Sequence, residues 1–163
     1  MELWEIEAHV QIRNLVAAYN ANGDSGRFDE MMRVFAPDGV LEAGGVRHEG
    51  HAGIRAFVSG VADGKPRALA APGDAPEAGA GGSTTGRRRF IRHFTATHEI
   101  TVLSPERATG YSYYQVLTQD GLDHWGRYFD EYVNLDGTWL IAHRRATTDA
   151  AIKGGWGAAR TDQ

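Results

Sequence analysis

The chain has 163 residues, 42% apolar and 23% charged, which suits one soluble globular domain with a sizeable core. A formal net charge of −4 argues against nucleic acid as the main partner, because such binding leans on neutralising phosphates. The lack of cysteine excludes disulfides, thiolate catalysis and cysteine-ligated zinc or iron–sulfur centres.

The acidic start Met1-Glu2-Leu3-Trp4-Glu5 is unlike a signal sequence, and no apolar run approaches membrane-spanning length. A cytoplasmic protein with no membrane partner is therefore expected. Ala8, Ile12, Leu15, Val16 and Tyr19 then recur at helical spacing and predict a first helix with one apolar face. The pattern breaks at Asn22-Gly23-Asp24-Ser25-Gly26, a cluster of turn and capping residues. Phe28, Met31, Met32 and Phe35 predict a second short helix, ended by Pro37-Asp38-Gly39. Val40-Leu41-Glu42 is a short strand candidate leading into Gly44-Gly45, and Ile54, Phe57, Val58 and Val61 predict a third helix. Across about 62–89 the periodicity disappears into a Gly/Pro-rich insertion, read as a mobile loop or a lid.

Strands follow. Phe90–Leu103 is the first, with His93 between Phe90 and Phe94, where a histidine is either a satisfied core residue or the base of a pocket. Arg107–Leu117 is the second, rich in tyrosine and valine. Asp120-Gly121 and Asp136-Gly137 are hairpin signals that bound Leu122–Leu135, and Thr138–Arg145 closes the series. Three helices followed by an antiparallel meander make an α+β fold, and curved strands facing helices leave a cone with an open mouth.

The elements and their residues together resemble the SnoaL-like branch of the nuclear transport factor 2-like superfamily. The resemblance rests on Tyr19 with Asp24, Phe35-Ala36-Pro37-Asp38-Gly39, Gly53-Ile54-Arg55-Ala56-Phe57 and Arg92-His93-Phe94. Gly126-Arg127-Tyr128-Phe129-Asp130, Asp136-Gly137-Thr138-Trp139 and Ile141-Ala142-His143-Arg144 complete it. It covers nearly all of a single domain spanning 1–163, apart from the insertion and the last dozen residues.

The resemblance implies a cone-shaped α+β barrel, with three N-terminal helices packed on a curved antiparallel sheet. The superfamily includes scytalone dehydratase, hexachlorocyclohexane dehydrochlorinase, polyketide cyclases and ketosteroid isomerases, as well as noncatalytic subunits, so fold alone does not give function. In the dehydratase and dehydrochlorinase members a histidine–aspartate dyad removes a proton from substrate; His93 and Asp24 match those two positions. The bland alternative is that Asp24 caps the second helix and His93 is an ordinary polar residue at a strand start. The dehydratase's tyrosine before the aspartate is Gly23 here, its second pocket histidine falls near Thr118 and its pocket asparagine near Tyr128. Scytalone itself is therefore not the expected substrate.

Candidate substrate-binding groups are Tyr19, Tyr128, His124 and Tyr113, on a strand facing that a one-residue slip would invert. Each has a packing alternative: Tyr19 in the core, the strand residues in a cross-strand aromatic cluster. Trp125 and Trp139 read as core or interface. His48-Glu49-Gly50-His51 lacks an evident third ligand, so no metal site is expected there. Arg87-Arg88-Arg89 reads as a solvated flank or a clamp on an anionic substrate. The stretch 79–86 lacks a P-loop lysine, and Gly154-Gly155-Trp156-Gly157 either folds over the pocket or is disordered.

The expected function is a cofactor-independent lyase of the dehydratase type, or an isomerase, acting on a small hydrophobic cyclic or aromatic molecule. His93 abstracts a proton from carbon and Asp24 orients it. The alternative is a noncatalytic small-molecule-binding protein or oligomer subunit. A third, epoxide-hydrolase-like reading needs a second pocket carboxylate, for which Asp130 has the right parity. A homodimer or higher homo-oligomer is expected by resemblance.

Overall fold

The computed structural model describes residues 2–64 and 90–157. Helix α1 (Leu3–Asp24) opens with the Glu2 backbone N–H donating to the Glu5 carboxylate at 2.6 Å, which satisfies one end of the first turn. Its buried residues, Ala8, Ile12, Val16, Asn20 and Asp24, follow one another at four-residue steps. This stripe changes from apolar to polar in its last two members, so the face that anchors the helix also delivers a carboxylate to one end of the core. The expected break at Asn22 comes three residues later, at Ser25, and Gly26 takes a left-handed φ of +72° to turn the chain.

Helix α2 (Phe28–Met32) is shorter than its spacing predicts, because Phe35 begins strand β1 (Phe35–Ala43) instead of closing the helix. Phe35 pairs with Ile141 across a parallel ladder, and the Ile141 N–H donates to the Val34 carbonyl at 2.8 Å. A long-range pairing thus overrides a local helical pattern. Strand β2 (Val46–Glu49) forms a hairpin with β1 over Gly44 and Gly45, both at positive φ. Helix α3 (Gly50–Gly64) follows at once and packs on β1, with Ile54 fully buried.

The remaining strands are β3 (Ile91–Ser104), β4 (Arg107–Thr118), β5 (Gly121–Leu135) and β6 (Thr138–Ala151), an antiparallel meander. Strand β6 runs six residues past the expected end at Arg145, since β5 begins at Gly121 and His124 pairs with Ala151. The sheet order is β2-β1-β6-β5-β4-β3, with β2 and β3 as its edges. The sheet is therefore open rather than a closed barrel, and it is mixed rather than wholly antiparallel, because β1 lies parallel to β6. Helix α1 lies over β3 and β6 and α3 over β1, giving a layered α+β fold with the main core between helices and sheet.

No helix among the described residues is long and apolar enough to cross a membrane. The Gly/Pro-rich stretch from residue 65 onward and the arginine run at 87–89 lie outside the described residues.

Candidate active site

A smaller apolar cluster, Ile91, Tyr114, Val116 and Tyr128, sits beside the main core, and Tyr19 and Trp156 pack against it. Between this cluster, α1 and α3 lies a cavity of about 110 Å³, walled by Met31, Leu41, Phe57 and Val58 as well as the aromatic rings. An apolar chamber with a few convergent polar groups is the usual form of a small-molecule site.

Asp24 reaches this cavity from the last turn of α1, and His93 from the first turn-in of β3. One Asp24 oxygen, Oδ1, lies 2.5 Å from His93 Nδ1, while Oδ2 accepts the His93 backbone N–H at 2.7 Å. An ionised carboxylate only accepts hydrogen bonds, so Nδ1 carries the hydrogen and Nε2 is the basic nitrogen of the neutral ring. Two hydrogen bonds from one residue to one carboxylate fix both the tautomer and the ring's orientation. Asp24 is 5% exposed and lies inside α1; α2 begins at Phe28 with no side-chain cap, so the helix-capping alternative is incorrect.

Asn20, one helical turn before Asp24, also borders the cavity. Its amide donates to Thr95 Oγ1 at 2.5 Å, and its buried Oδ1 has no hydrogen-bond partner among the described residues. A ligand N–H or O–H would satisfy that acceptor. Nothing in the sequence distinguishes Asn20 except its four-residue offset from Asp24.

Tyr19 and Tyr128 line the cavity and share the Arg144 guanidinium, whose carbon stands 4.2 Å from each ring centroid. Arg144 is fully buried and grips Asp130 in a two-pronged ion pair at 2.8 and 2.7 Å; the Tyr132 hydroxyl donates to the same carboxylate at 2.6 Å. Burial, partly offset by Arg144, pushes the Tyr19 hydroxyl above its ordinary value; burial and the neighbouring Tyr19 push Tyr128 well above its own. Both phenols therefore keep their protons at neutral pH. Asp130 is consumed by Arg144 and Tyr132 and does not border the cavity, which removes the carboxylate that a water-activating, epoxide-hydrolase-like site would need.

His124 lies in the cavity wall from β5, buried to 3% exposure. Its Nδ1 is 2.7 Å from Oδ2 of the adjacent Asp123, itself 4% exposed. The Asp123 carboxylate also accepts the backbone N–H groups of Trp156 and Gly157, at 2.7 and 2.8 Å. The C-terminal Gly-Trp-Gly segment therefore folds against the site, and Trp156 contributes to its wall.

Tyr113 does not belong to the site. It is 45% exposed on the opposite face of β4, edge-on to Tyr111 at 5.4 Å, and its neighbour Tyr114 occupies the cavity face. Side chains alternate along a strand, so an error of one residue exchanges the faces. Tyr114 could have been found from its parity with Val116, which pairs with His124. Of the remaining candidates, His48 stacks on Phe57 at 4.0 Å, and a His51 ring nitrogen lies 3.0 Å from the Phe35 carbonyl. Trp139 is core, whereas Trp125 is 37% exposed.

A family model described as a SnoaL-like domain matches residues 4–145. No curated protein sequence matches the chain. Among solved structures, LinA superposes with a TM-score of 0.70 at 15% identity, covering 91% of this chain and 90% of its own. A scytalone dehydratase-like protein from Novosphingobium aromaticivorans gives 0.68 at 16% identity, over 92% of this chain and 89% of its own. ActVI-ORFA from Streptomyces coelicolor gives 0.66 at 18% identity, over 88% and 98%. At these identities the likeness is one of fold.

Proposed function

The chain belongs to the SnoaL-like domain family, and from that footing we propose that it is a cofactor-independent enzyme using His93 as general base and Asp24 as the residue that orients it. Nε2 of His93 takes a proton from carbon beside a carbonyl of a small cyclic or aromatic substrate. Asp24 holds Nδ1 and offsets the imidazolium charge that develops. Tyr19 and Tyr128, protonated and cavity-lining, are the donors available to a developing oxyanion. The products follow from elimination of a neighbouring leaving group, or from return of the proton elsewhere, which is isomerisation.

The observation that carries this reading is the double hydrogen bond from His93 to Asp24 at the edge of an apolar cavity. A capping or purely structural Asp24 would have no reason to orient a histidine facing a ligand-sized space. The test is product formation from cyclic β-hydroxy ketones and β,γ-enones by native protein, His93→Ala and Asp24→Asn. Both variants should retain the fold and lose about 10²-fold or more in rate. Tight binding of such molecules without turnover by native protein would instead identify a binding protein of the same fold.

A further inference from the structure

The cavity holds two histidine–carboxylate pairs, not one. His93 on β3 pairs in register with Val116 on β4, and Val116 pairs in register with His124 on β5. Directly paired residues point to the same face, so both imidazoles stand on the concave side in one row across three strands. Two strand spacings separate their backbones by about 10 Å. The Tyr114 ring lies between them, its centroid 6.1 Å from His93 and 6.0 Å from His124.

His124 is set up as His93 is: a buried carboxylate, that of Asp123, takes Nδ1 and assigns proton exchange to Nε2. The differences lie in what else surrounds the second pair. Asp123 is held by two backbone N–H groups of the C-terminal turn, and the Trp156 ring covers His124 with its centroid 5.1 Å away. Gly157 packs so closely that a Cβ there would stand 2.5 Å from His124 Cβ and Cγ. The turn and the pair are built as one unit.

Building on the His93 reading above, we propose that His124 is a second proton-transfer residue, held by Asp123 and the C-terminal turn, and that it makes the site a dehydratase for β-hydroxy carbonyl compounds. His93 Nε2 takes the proton from the carbon beside the carbonyl. The electrons of that C–H bond pass into the carbonyl as an enolate. The enolate either takes a proton back at the same carbon or re-forms the carbonyl, its electrons becoming the carbon–carbon double bond as the neighbouring C–O bond breaks. The departing oxygen takes the Nε2 proton of protonated His124 and leaves as water. His93 ends protonated and His124 neutral, and exchange with solvent restores both. Hydroxide is a poor leaving group and needs that proton, whereas isomerisation does not. A dedicated acid in the same row as the base, two strands away, therefore favours water loss.

The test uses 3-hydroxycyclohexanone in D₂O and follows two events in one tube: deuterium uptake at C2 and formation of the enone. In native protein both should occur. In His124→Gln, water loss should fall about 10²-fold while deuterium uptake stays within a few-fold of native. Asp123→Asn should show the same split to a lesser degree. Equal loss of both events in His124→Gln, or undiminished water loss, would overturn the assignment. Absence of deuterium uptake in native protein would overturn the His93 reading beneath it, and that outcome is read without any His124 variant. A measurement needing no substrate supports the same point: long-range ¹⁵N spectra of the imidazoles should place the proton of neutral His124 on Nδ1. A native Nε2–H tautomer would contradict the role.

Discussion

Asp24 spends both oxygens on His93, one on the ring and one on the backbone of the same residue. Asp130 likewise spends both on Arg144, but deep in the core and with Tyr132 as a third partner. The two carboxylates thus separate by environment: one borders a chamber, the other is sealed against Arg144, whose guanidinium lies between the Tyr19 and Tyr128 rings. The sealed pair is a support for Tyr19 and Tyr128, and breaking one half of it strands the other. Asp130→Asn should leave the Arg144 charge uncompensated and cost about 3–5 kcal/mol in urea unfolding. A loss below about 1 kcal/mol would show that the pair is solvated. At this scale the sequence was informative where residue type and order carried chemistry, as for His93 and Asp24. It was uninformative for Asn20 and Arg144, whose roles come from burial and from neighbours distant in the chain.

At the scale of elements, α1 brings a carboxylate to His93, and the C-terminal turn fixes the β5 carboxylate of Asp123 that holds His124. Helix α1 does so through its four-residue stripe, which was legible up to Tyr19 and lost at Asn22, where turn-forming residues hid the last helical turn. The C-terminal turn depends on Asp123. Burial alone would raise that carboxyl, but the hydrogen bonds from His124, Gly157 and Trp156 outweigh it and hold Asp123 below its ordinary value. A carboxylate depressed in the folded state contributes stability that is complete above its unfolded value of about 3.9 and is lost as pH falls through the folded one. Amide exchange at Trp156 and Gly157 should therefore accelerate, relative to the strands, as the pH drops below about 4. Equal protection of these amides at pH 3 and pH 6 would show that Asp123 does not hold the turn. Gly157→Ala should loosen the same amides at neutral pH, because the added Cβ collides with His124.

For the molecule as a whole, the order of helices and strands, apart from the short strand β2 after Gly44-Gly45, was readable from periodicity and two hairpin turns, because these are local signals. The parallel β1–β6 pairing, the shortened α2 and the longer β6 were not, since each is decided by a partner far away in sequence. The cavity is likewise a property of the assembled layers: α1 and α3 lie on a sheet that curls without closing, and the space left between them is lined from α1, α2, β1, α3 and the meander. The central claim is that His93 removes a proton from carbon in this space. Deuterium uptake from D₂O beside the carbonyl of a cyclic ketone measures that step without requiring a leaving group. Native protein should catalyse it, with loss of about 10²-fold or more in His93→Ala and a substantial loss in Asp24→Asn. Uptake that is unchanged in His93→Ala would contradict the account.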